Sequence, residues 1–317
     1  MPQILSTTNT NIKKVVQQLQ NNHLAVIPTE TVYGLAGNAY SDYCIKKIYT
    51  LKQRAPSNPL IVHFNNIQSV SNDFILTSFE SKIAQLFWPG PLSIILNRRP
   101  ECKVSHLCSQ YNLQAVRISN NSILNNIIDQ TGFPLAAPSA NISNAVTGVT
   151  PAQIAQNFEN DNELIILDNG RSQLGLESTV VRCLVDSVQI LRVGSIAIEE
   201  FQKQNIKISN LKELKALSPG MSTKHYSPKA RLILNANKAK PNSALLAFGK
   251  IPESLSTVTP VLNLSPTQNL QEASYNLFHM LWQLDLNNVD YILVTQIPNT
   301  GLGVSINDRL FRASKHN

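Results

Sequence analysis

The segment at residues 51–64, LKQRAPSNPLIVHF, contains three basic side chains that could bind an anion. Lys52 and Arg54 precede a turn-forming Pro-Ser-Asn-Pro stretch, and His63 lies in the apolar run that follows. Such cations recognise phosphate and carboxylate groups, but cations at the end of a helix can also complement its dipole and face water. The segment therefore permits two interpretations, an anion site or a solvated helix cap.

Polar side chains follow strand-like runs in four segments: IPTETVYGL, KQRAPSNPLIVH, APSANIS and GLESTVV. Loops at strand ends are where α/β proteins place binding groups. Short hydroxyl and amide side chains in these loops can meet a carboxylate, a hydroxyl or a phosphate, and arginines in AVRIS and ILRVG are suited to oxyanions. The residues concerned are Thr31, Ser139, Asn141, Ser178, Arg117 and Arg192.

Composition predicts a two-domain globular protein with an anionic partner. The chain has 317 residues, 43% of them hydrophobic, and a formal net charge of +7. Its four cysteines have no CxxC spacing, which argues against a structural zinc site and favours reduced thiols. We find no signal-peptide pattern and no apolar run of about 20 residues, so we expect a soluble cytoplasmic protein with no membrane contact.

Alternating strand-like and helix-like segments predict an α/β fold. Helices are predicted over residues 11–21, 42–51, 79–87, 122–130, 151–158, 270–284 and 304–313. Strands are predicted over residues 24–28, 60–62, 93–96, 115–118, 135–137, 164–167, 179–183, 188–191, 231–234, 245–248 and 291–294. The polar stretch at 202–230 interrupts this pattern, and we predict a first domain at 1–205, a linker at 206–230 and a second domain at 231–317.

Several motifs occur in the order typical of one family: PTETVYGL, K-x-R with NPLIVH, FWPGPL, AVR, PSAN, GLESTVV, LR-x-G and SPGM with HYSP. In these motifs the chain resembles the threonylcarbamoyl-AMP synthases of the long, two-domain kind. The resemblance implies a YrdC-like twisted sheet with a large basic cavity, followed by a smaller Rossmann-like α/β domain.

The resemblance also implies a reaction. L-Threonine, bicarbonate and ATP would give threonylcarbamoyl-AMP and pyrophosphate, with Mg²⁺ accompanying ATP. A separate transferase would then use the product to make threonylcarbamoyladenosine (t6A) in tRNA. All the substrates carry negative charge, so basic side chains must screen their mutual repulsion before they can react.

Motif by motif, the resemblance assigns roles to individual residues. Lys52 and Arg54 would be the catalytic cations. Threonine would be held by Thr31, His63, Arg117, Ser139 and Ser178. ATP would be held by Lys52, Arg54, Asn58, Asn141, Arg192 and Tyr226, and Tyr226 belongs to the linker, which we expect to close over the site. Tyr33 and Glu30 are interpreted as packing and loop-bracing residues.

A non-catalytic protein that binds double-stranded RNA is the main alternative, because the net charge is basic. No RNP-type aromatic stretch and no GXXG loop supports it. A carbamoyl transferase of hydrogenase maturation is a second alternative, but such proteins are longer and carry cysteine pairs of the zinc-binding type. Only a synthase should release pyrophosphate when threonine and bicarbonate are both present.

Overall fold

The computed structural model describes residues 1–209 and 226–315, which contain two β-sheets and the helices that cover them. The first sheet has twelve strands in the order β1-β9-β2-β3-β8-β4-β7-β6-β10-β11-β12, with β5 paired to β6. Its strands are β1 (Gln3–Ser6), β2 (Ala25–Ile27), β3 (Gly34–Asn38), β4 (Ile61–Phe64), β5 (Phe74–Ile75), β6 (Leu92–Arg98), β7 (Leu113–Ile118), β8 (Leu135–Ala136), β9 (Ile165–Asp168), β10 (Thr179–Cys183), β11 (Ser187–Arg192) and β12 (Lys207–Ser209).

Helices in the first part of the chain bury apolar faces, as in α1, where Ile12, Val15, Val16 and Leu19 are buried. Polar side chains start most of them, which explains where they begin. Ser41, for example, caps α2 by accepting a hydrogen bond from the Cys44 amide. The helices are α1 (Asn9–Gln20), α2 (Asp42–Leu51), α3 (Ile67–Asp73), α4 (Ser78–Phe87), α5 (Ser122–Thr131), α6 (Pro151–Asn157) and α7 (Ile198–Lys203).

The second sheet has four parallel strands in the order β13-β16-β14-β15. They are β13 (Arg231–Ile233), β14 (Ser243–Ala247), β15 (Val261–Asn263) and β16 (Tyr291–Val294), and they are accompanied by α8 (Leu270–Asp285) and α9 (Leu302–Ala313). The predicted α/β class is confirmed for both parts of the chain, whereas the Rossmann-like character of the second part stays a prediction.

The two parts share a hydrophobic core. Val32, Val149 and Leu176 belong to loops of the first part, yet they pack in one buried cluster with residues of the second part such as Phe278 and Leu281. Burial of apolar surface contributes about 25 cal/mol per Å², so a shared core stabilises the arrangement of the two sheets. The second part therefore supports loops that carry candidate site residues.

The register of β4 and β7 places two candidate residues beside each other. These strands pair in parallel, with His63 opposite Arg117. Side chains alternate between the two faces of a strand, so paired residues of neighbouring strands lie on the same face. The imidazole and the guanidinium therefore lie on one face of the sheet, although 54 residues separate them in the sequence.

Several sequence predictions need correction. The sequence predicts no strand between residues 28 and 60, but Gly34–Asn38 forms strand β3 because it pairs with both β2 and β8. The polar stretch predicted as a linker from residue 206 contains β12, which pairs in parallel with β11. In residues 1–209 and 226–315, no helix is long and apolar enough to cross a membrane.

Candidate active site

A cavity at the ends of several strands of the first sheet collects side chains that are distant in the sequence. Its walls come from the 29–34 loop, β4, β7, the 137–139 loop and the 177–178 loop, and from Arg54, Arg192 and Tyr226. The volume is about 40 Å³, which leaves room for only a few water molecules. The large basic cavity that the resemblance implies stays a prediction.

Arg117 is held in the wall of the cavity by three contacts. Its Nη1 donates to Thr31 Oγ1 at 2.8 Å, its Nη2 forms an ion pair with Glu30 Oε1 at 2.7 Å, and its Nε donates to the Gly90 carbonyl at 3.1 Å. Burial raises the pKa of the Glu30 carboxyl, but the charge of Arg117 and a hydrogen bond from Ser119 outweigh burial and lower it. The bracing role predicted for Glu30 agrees with these contacts.

His63 is a neutral imidazole in the wall of the cavity. Burial and the neighbouring charge of Arg117 lower its pKa to about 3. Its Nδ1 atom is buried and has no hydrogen-bond partner among the described residues. Because a buried polar atom without a partner is costly, Nδ1 is a natural contact for a ligand in the cavity.

Lys52 ends helix α2 and is almost completely buried, so the solvated-cap interpretation is wrong. Its ammonium group donates to the Ser139 carbonyl at 2.6 Å and also to the Asn141 carbonyl. Burial lowers the pKa of Lys52 well below its ordinary range, and the charge of Arg54 lowers it further. Lys52 therefore holds the loop that carries Ser139 and Asn141, behind the wall of the cavity.

Arg54 lies in the wall and is oriented by the turn that follows it. Its Nη2 donates to Asn58 Oδ1 at 2.6 Å and to the Pro59 carbonyl at 2.8 Å, and its Nε donates to the Asn58 carbonyl. Asn58 thus braces Arg54, and it does not itself line the cavity. Burial lowers the pKa of Arg54 to about 10, so it stays a cation at neutral pH.

Ser178 and Arg192 form another part of the wall. The guanidinium of Arg192 donates from Nη2 to the Ser178 carbonyl at 2.8 Å and to Ser178 Oγ at 3.1 Å. Ser178 Oγ also shares a hydrogen bond of 2.8 Å with Ser93 Oγ. These contacts hold Ser178 of the 177–178 loop and Arg192 at the end of β11 next to each other in the wall of the cavity.

Tyr226 closes the side of the cavity that faces the second sheet. Its ring stacks on Phe278 of α8 with centroids 5.3 Å apart, and the Arg309 guanidinium lies 5.3 Å from the ring centroid. Burial raises the pKa of the Tyr226 phenol, so it stays protonated. Residues 210–225 of the linker that is predicted to close over the site lie outside the described residues.

Most of the predicted site residues meet at the cavity. Eight of them line it: Thr31, Arg54, His63, Arg117, Ser139, Ser178, Arg192 and Tyr226. Three lie just behind the wall: Lys52, Asn58 and Asn141. The sequence analysis missed Thr29 and Glu177, which line the cavity, and Arg309, which pairs with Glu177. Glu177 lies in the GLESTVV motif, so this motif offered a sequence signal for the carboxylate that the sequence analysis missed.

A metal ion bound by the protein would need a cluster of carboxylate, imidazole or thiolate side chains. Among residues 1–209 and 226–315 there is no group of three or more His, Cys, Asp and Glu side chains that could hold one. Glu30 and Glu177 are each paired with an arginine. The described residues therefore do not fit a metal ion held by the protein alone.

Comparison with known proteins identifies the family. A model described as "Telomere recombination" matches residues 17–194, and one described as "Threonylcarbamoyl-AMP synthase, C-terminal domain" matches residues 185–315. The threonylcarbamoyl-AMP synthase of Bacillus subtilis is 30% identical, over 98% of this chain and 94% of its own length. The chain belongs to the threonylcarbamoyl-AMP synthase family.

A further member of the threonylcarbamoyl-AMP synthase family supports this result. The synthase of Pyrococcus abyssi is 31% identical over 93% of this chain and 92% of its own length. The crystal structure of P. abyssi Sua5 complexed with L-threonine superposes with a TM-score of 0.86 at 27% identity, covering 99% of this chain and 97% of that one. The likeness thus extends over both sheets.

Proposed function

We propose that this chain makes threonylcarbamoyl-AMP and pyrophosphate from L-threonine, bicarbonate and ATP. The observation that carries the proposal is the convergence of Arg54, Arg117 and Arg192 on one cavity. Three guanidinium groups in a small space suit a ligand set that is anionic throughout, since oxyanions bind arginine by charge and by hydrogen bonds. In the proposed reaction these anions would be ATP, bicarbonate and the carboxylate of threonine.

Threonine would bind on the Arg117 side of the cavity. The guanidinium of Arg117 and the hydroxyls of Thr31, Ser139 and Ser178 offer donors and acceptors for its carboxylate, amine and hydroxyl. The unpartnered Nδ1 of His63 would accept a hydrogen bond from the substrate. The Val32 side chain is an apolar part of the wall and would meet the threonine methyl.

ATP would bind on the side of Arg54 and Arg192, with Tyr226 against the nucleotide. The guanidinium groups of Arg54 and Arg192 donate to backbone carbonyls of the wall, and we expect them to exchange these partners for phosphate oxygens when ATP enters. Asn58 and Asn141 would position the loops around the nucleotide. Lys52 would contribute its charge through the loop that it holds, or directly once the loop moves.

The reaction would proceed in two steps. The neutral amine of threonine attacks bicarbonate, water leaves, and a carbamate forms. A carbamate oxygen then bonds to the α-phosphorus of ATP while the bond between that phosphorus and pyrophosphate breaks. The carbamate is already an anion, so the second step depends on positioning and charge screening by the basic side chains.

In the proposed reaction Mg²⁺ would bind together with ATP. Glu177, which lines the cavity, and Glu30, which does not, are engaged by Arg309 and Arg117, so Mg²⁺ would be held by the phosphate oxygens of the nucleotide. Magnesium commonly binds in this way, with few protein ligands.

The product would pass to a separate transferase that modifies tRNA, and the chain would therefore work in the cytoplasm. The transferred group ends as threonylcarbamoyladenosine. A weak contact with RNA during this hand-over suits the net charge of +7, since basic proteins attract nucleic acid. Contact of this kind would assist the reaction and is not needed for it.

Isotopically labelled bicarbonate tests the proposal. The chain is incubated with ATP, Mg²⁺, L-threonine and ¹³C-bicarbonate, and the adenylate is identified by mass spectrometry. We expect the label in threonylcarbamoyl-AMP, and pyrophosphate release that requires threonine and bicarbonate together. Pyrophosphate release in the absence of threonine or in the absence of bicarbonate would contradict the proposal. RNA binding without formation of an adenylate would also contradict it.

A further inference from the structure

Arg309 of helix α9 is a completely buried cation that reaches from the second part of the chain to the wall of the cavity. Its Nε forms an ion pair with Glu177 Oε2 at 3.0 Å, its Nη1 pairs with Asp308 at 2.6 Å, and its Nη2 donates to the Val193 carbonyl at 2.8 Å. Each nitrogen of the guanidinium thus has an acceptor. Two of the three acceptors belong to the first part of the chain.

Further contacts near Arg309 attach helix α9 to the segment of the first part that follows Arg192. Ser305 Oγ donates to the Gly194 carbonyl at 2.8 Å, and the Gly301 amide donates to Glu199 at 3.0 Å. Gly194 itself packs so closely on the 177–178 loop that a Cβ atom there would lie 2.5 Å from the Glu177 carbonyl oxygen. Helix α9 therefore contacts both the segment that follows Arg192 and the segment that contains Glu177.

Glu177 poses an electrostatic problem for the proposed function. Its carboxylate lines a cavity that has to admit a triphosphate, a carboxylate and bicarbonate. Like charges brought together across an interface cost several kcal/mol, and a buried charge without a partner is more costly still. An ionised Glu177 is tolerable at this position only when a cation neutralises it.

We propose that Arg309 is the positioning residue that neutralises Glu177, so that the second part of the chain determines how tightly the first part binds its anionic substrates. The inference rests on the proposed function, which supplies the anions. It gives the second part of the chain a role in substrate binding. The contact also places Arg309 against the ring of Tyr226, 5.3 Å from its centroid, so one guanidinium orders two wall residues.

A purely structural role for Arg309 is the alternative, because breaking a buried ion pair destabilises a protein whatever its function. The two roles differ in what happens when Glu177 loses its charge. If Arg309 acts by neutralisation, the loss of its charge matters only while residue 177 carries a carboxylate. If Arg309 is only a tie between helix and loop, its loss lowers the free energy of unfolding but leaves the ATP affinity unchanged in both backgrounds.

The test is a double-mutant cycle on ATP affinity. Arg309→Met, Glu177→Gln and the double variant are compared with the full-length wild type by titration calorimetry with ATP and Mg²⁺, in the presence of threonine and the absence of bicarbonate. Thermal unfolding of each protein is recorded alongside. Arg312→Met is the matched control, because Arg312 lies on the same helix and pairs with Asp308 at 3.0 Å.

We expect Arg309→Met to weaken ATP binding by about tenfold or more in the wild-type background, and by less than about threefold in the Glu177→Gln background. Arg312→Met should leave the affinity within about twofold of wild type. Arg309→Lys, which keeps the charge, should lose less affinity than Arg309→Met. It also serves as the test if the methionine variant fails to fold.

Unchanged or equally reduced ATP affinity in both backgrounds, or equal loss in the lysine and methionine variants, would overturn the proposal. The proposed function can fail separately. A wild type that binds ATP but forms no adenylate on addition of bicarbonate would refute the synthase activity and leave the cycle readable. A wild type that binds no ATP would refute both.

Discussion

The ammonium group of Lys52 ties helix α2 to the loop that carries Ser139. Two backbone carbonyls of that loop accept its hydrogen bonds, and the side chain is almost completely buried. A buried ammonium is costly unless its donors are satisfied, and here two carbonyls satisfy it. We therefore expect Lys52 to contribute to the site by its charge and by the position that it imposes on Ser139.

Replacement of Lys52 by alanine should impair activity more than folding. We expect a loss of about 2–4 kcal/mol of transition-state stabilisation, the scale for a lost oxyanion donor. The free energy of unfolding should fall by about 1–3 kcal/mol, because two charge-assisted hydrogen bonds disappear. Adenylate formation rates and urea unfolding measure the two effects. Lys46→Ala, an exposed position on the same helix, should change neither, and full activity in Lys52→Ala would contradict the proposed role.

Selectivity for threonine is a second prediction at the scale of single residues. The substrate methyl group should pack on the apolar part of the wall near Val32, while its hydroxyl meets the side chains of Thr31 and Ser139. One missing methyl group in such a pocket costs about 1–3 kcal/mol. L-Serine should therefore react with a kcat/KM that is about 10–200 times lower. Equal kcat/KM values for the two amino acids would exclude this arrangement of the pocket.

The elements around the site differ in how well their sequences predict them. Helix α2 was predicted with the bounds that the structure has, because its buried residues recur at helical spacing after the Ser41 cap. Strand β3 was missed because GLAGN contains no β-branched or aromatic residue, and pairing with two neighbouring strands overrides that weak local preference. The motifs predicted most cavity residues, but Arg309 was missed because 132 residues separate it from Glu177.

Helix α6 offers a prediction at the scale of an element. Thr150 caps it, and Gln153 completes a capping box by accepting from the Thr150 amide. Loss of such a cap costs about 1 kcal/mol. Thr150→Ala should lower the free energy of unfolding by about that amount in urea titrations. Thr150→Ser, which keeps the hydroxyl, should retain most of it, and identical losses in both variants would show that the hydroxyl is not what matters.

At the scale of the whole molecule, the two sheets are joined by apolar contacts and by polar ones. The shared core brings Val149 and Leu176 against residues of the second part. Arg171 lies over the Tyr275 ring, 3.8 Å from its centroid, and Gln153 reaches the Phe278 carbonyl. Of the ion pairs, Glu177–Arg309 joins the two parts while buried. We therefore expect the stability of the whole arrangement to respond to acid through this pair.

The expected response to acid follows from the pKa of Glu177. Burial raises that pKa, but the charges of Arg309 and Arg192 outweigh burial and lower it to about 2, from an ordinary value of 4.5. A carboxyl group whose pKa is lower in the folded than in the unfolded protein stabilises the fold above the unfolded value. That stabilisation disappears as the pH falls towards the folded value. The difference corresponds to about 3 kcal/mol at neutral pH, of which about 2 kcal/mol should be lost by pH 3.

Urea unfolding of the wild type and Glu177→Gln at pH 7 and pH 3 measures this contribution. Other carboxyl groups titrate in both proteins, so the informative quantity is the difference in unfolding free energy between the two proteins. We expect the wild type to lose about 2 kcal/mol of its advantage between pH 7 and pH 3. The exposed pair Glu200–Lys203 provides the control, since exposed pairs contribute little to stability. Glu200→Gln should follow the pH dependence of the wild type, and a Glu177→Gln variant that did the same would show that the buried pair does not join the two parts in the way we infer.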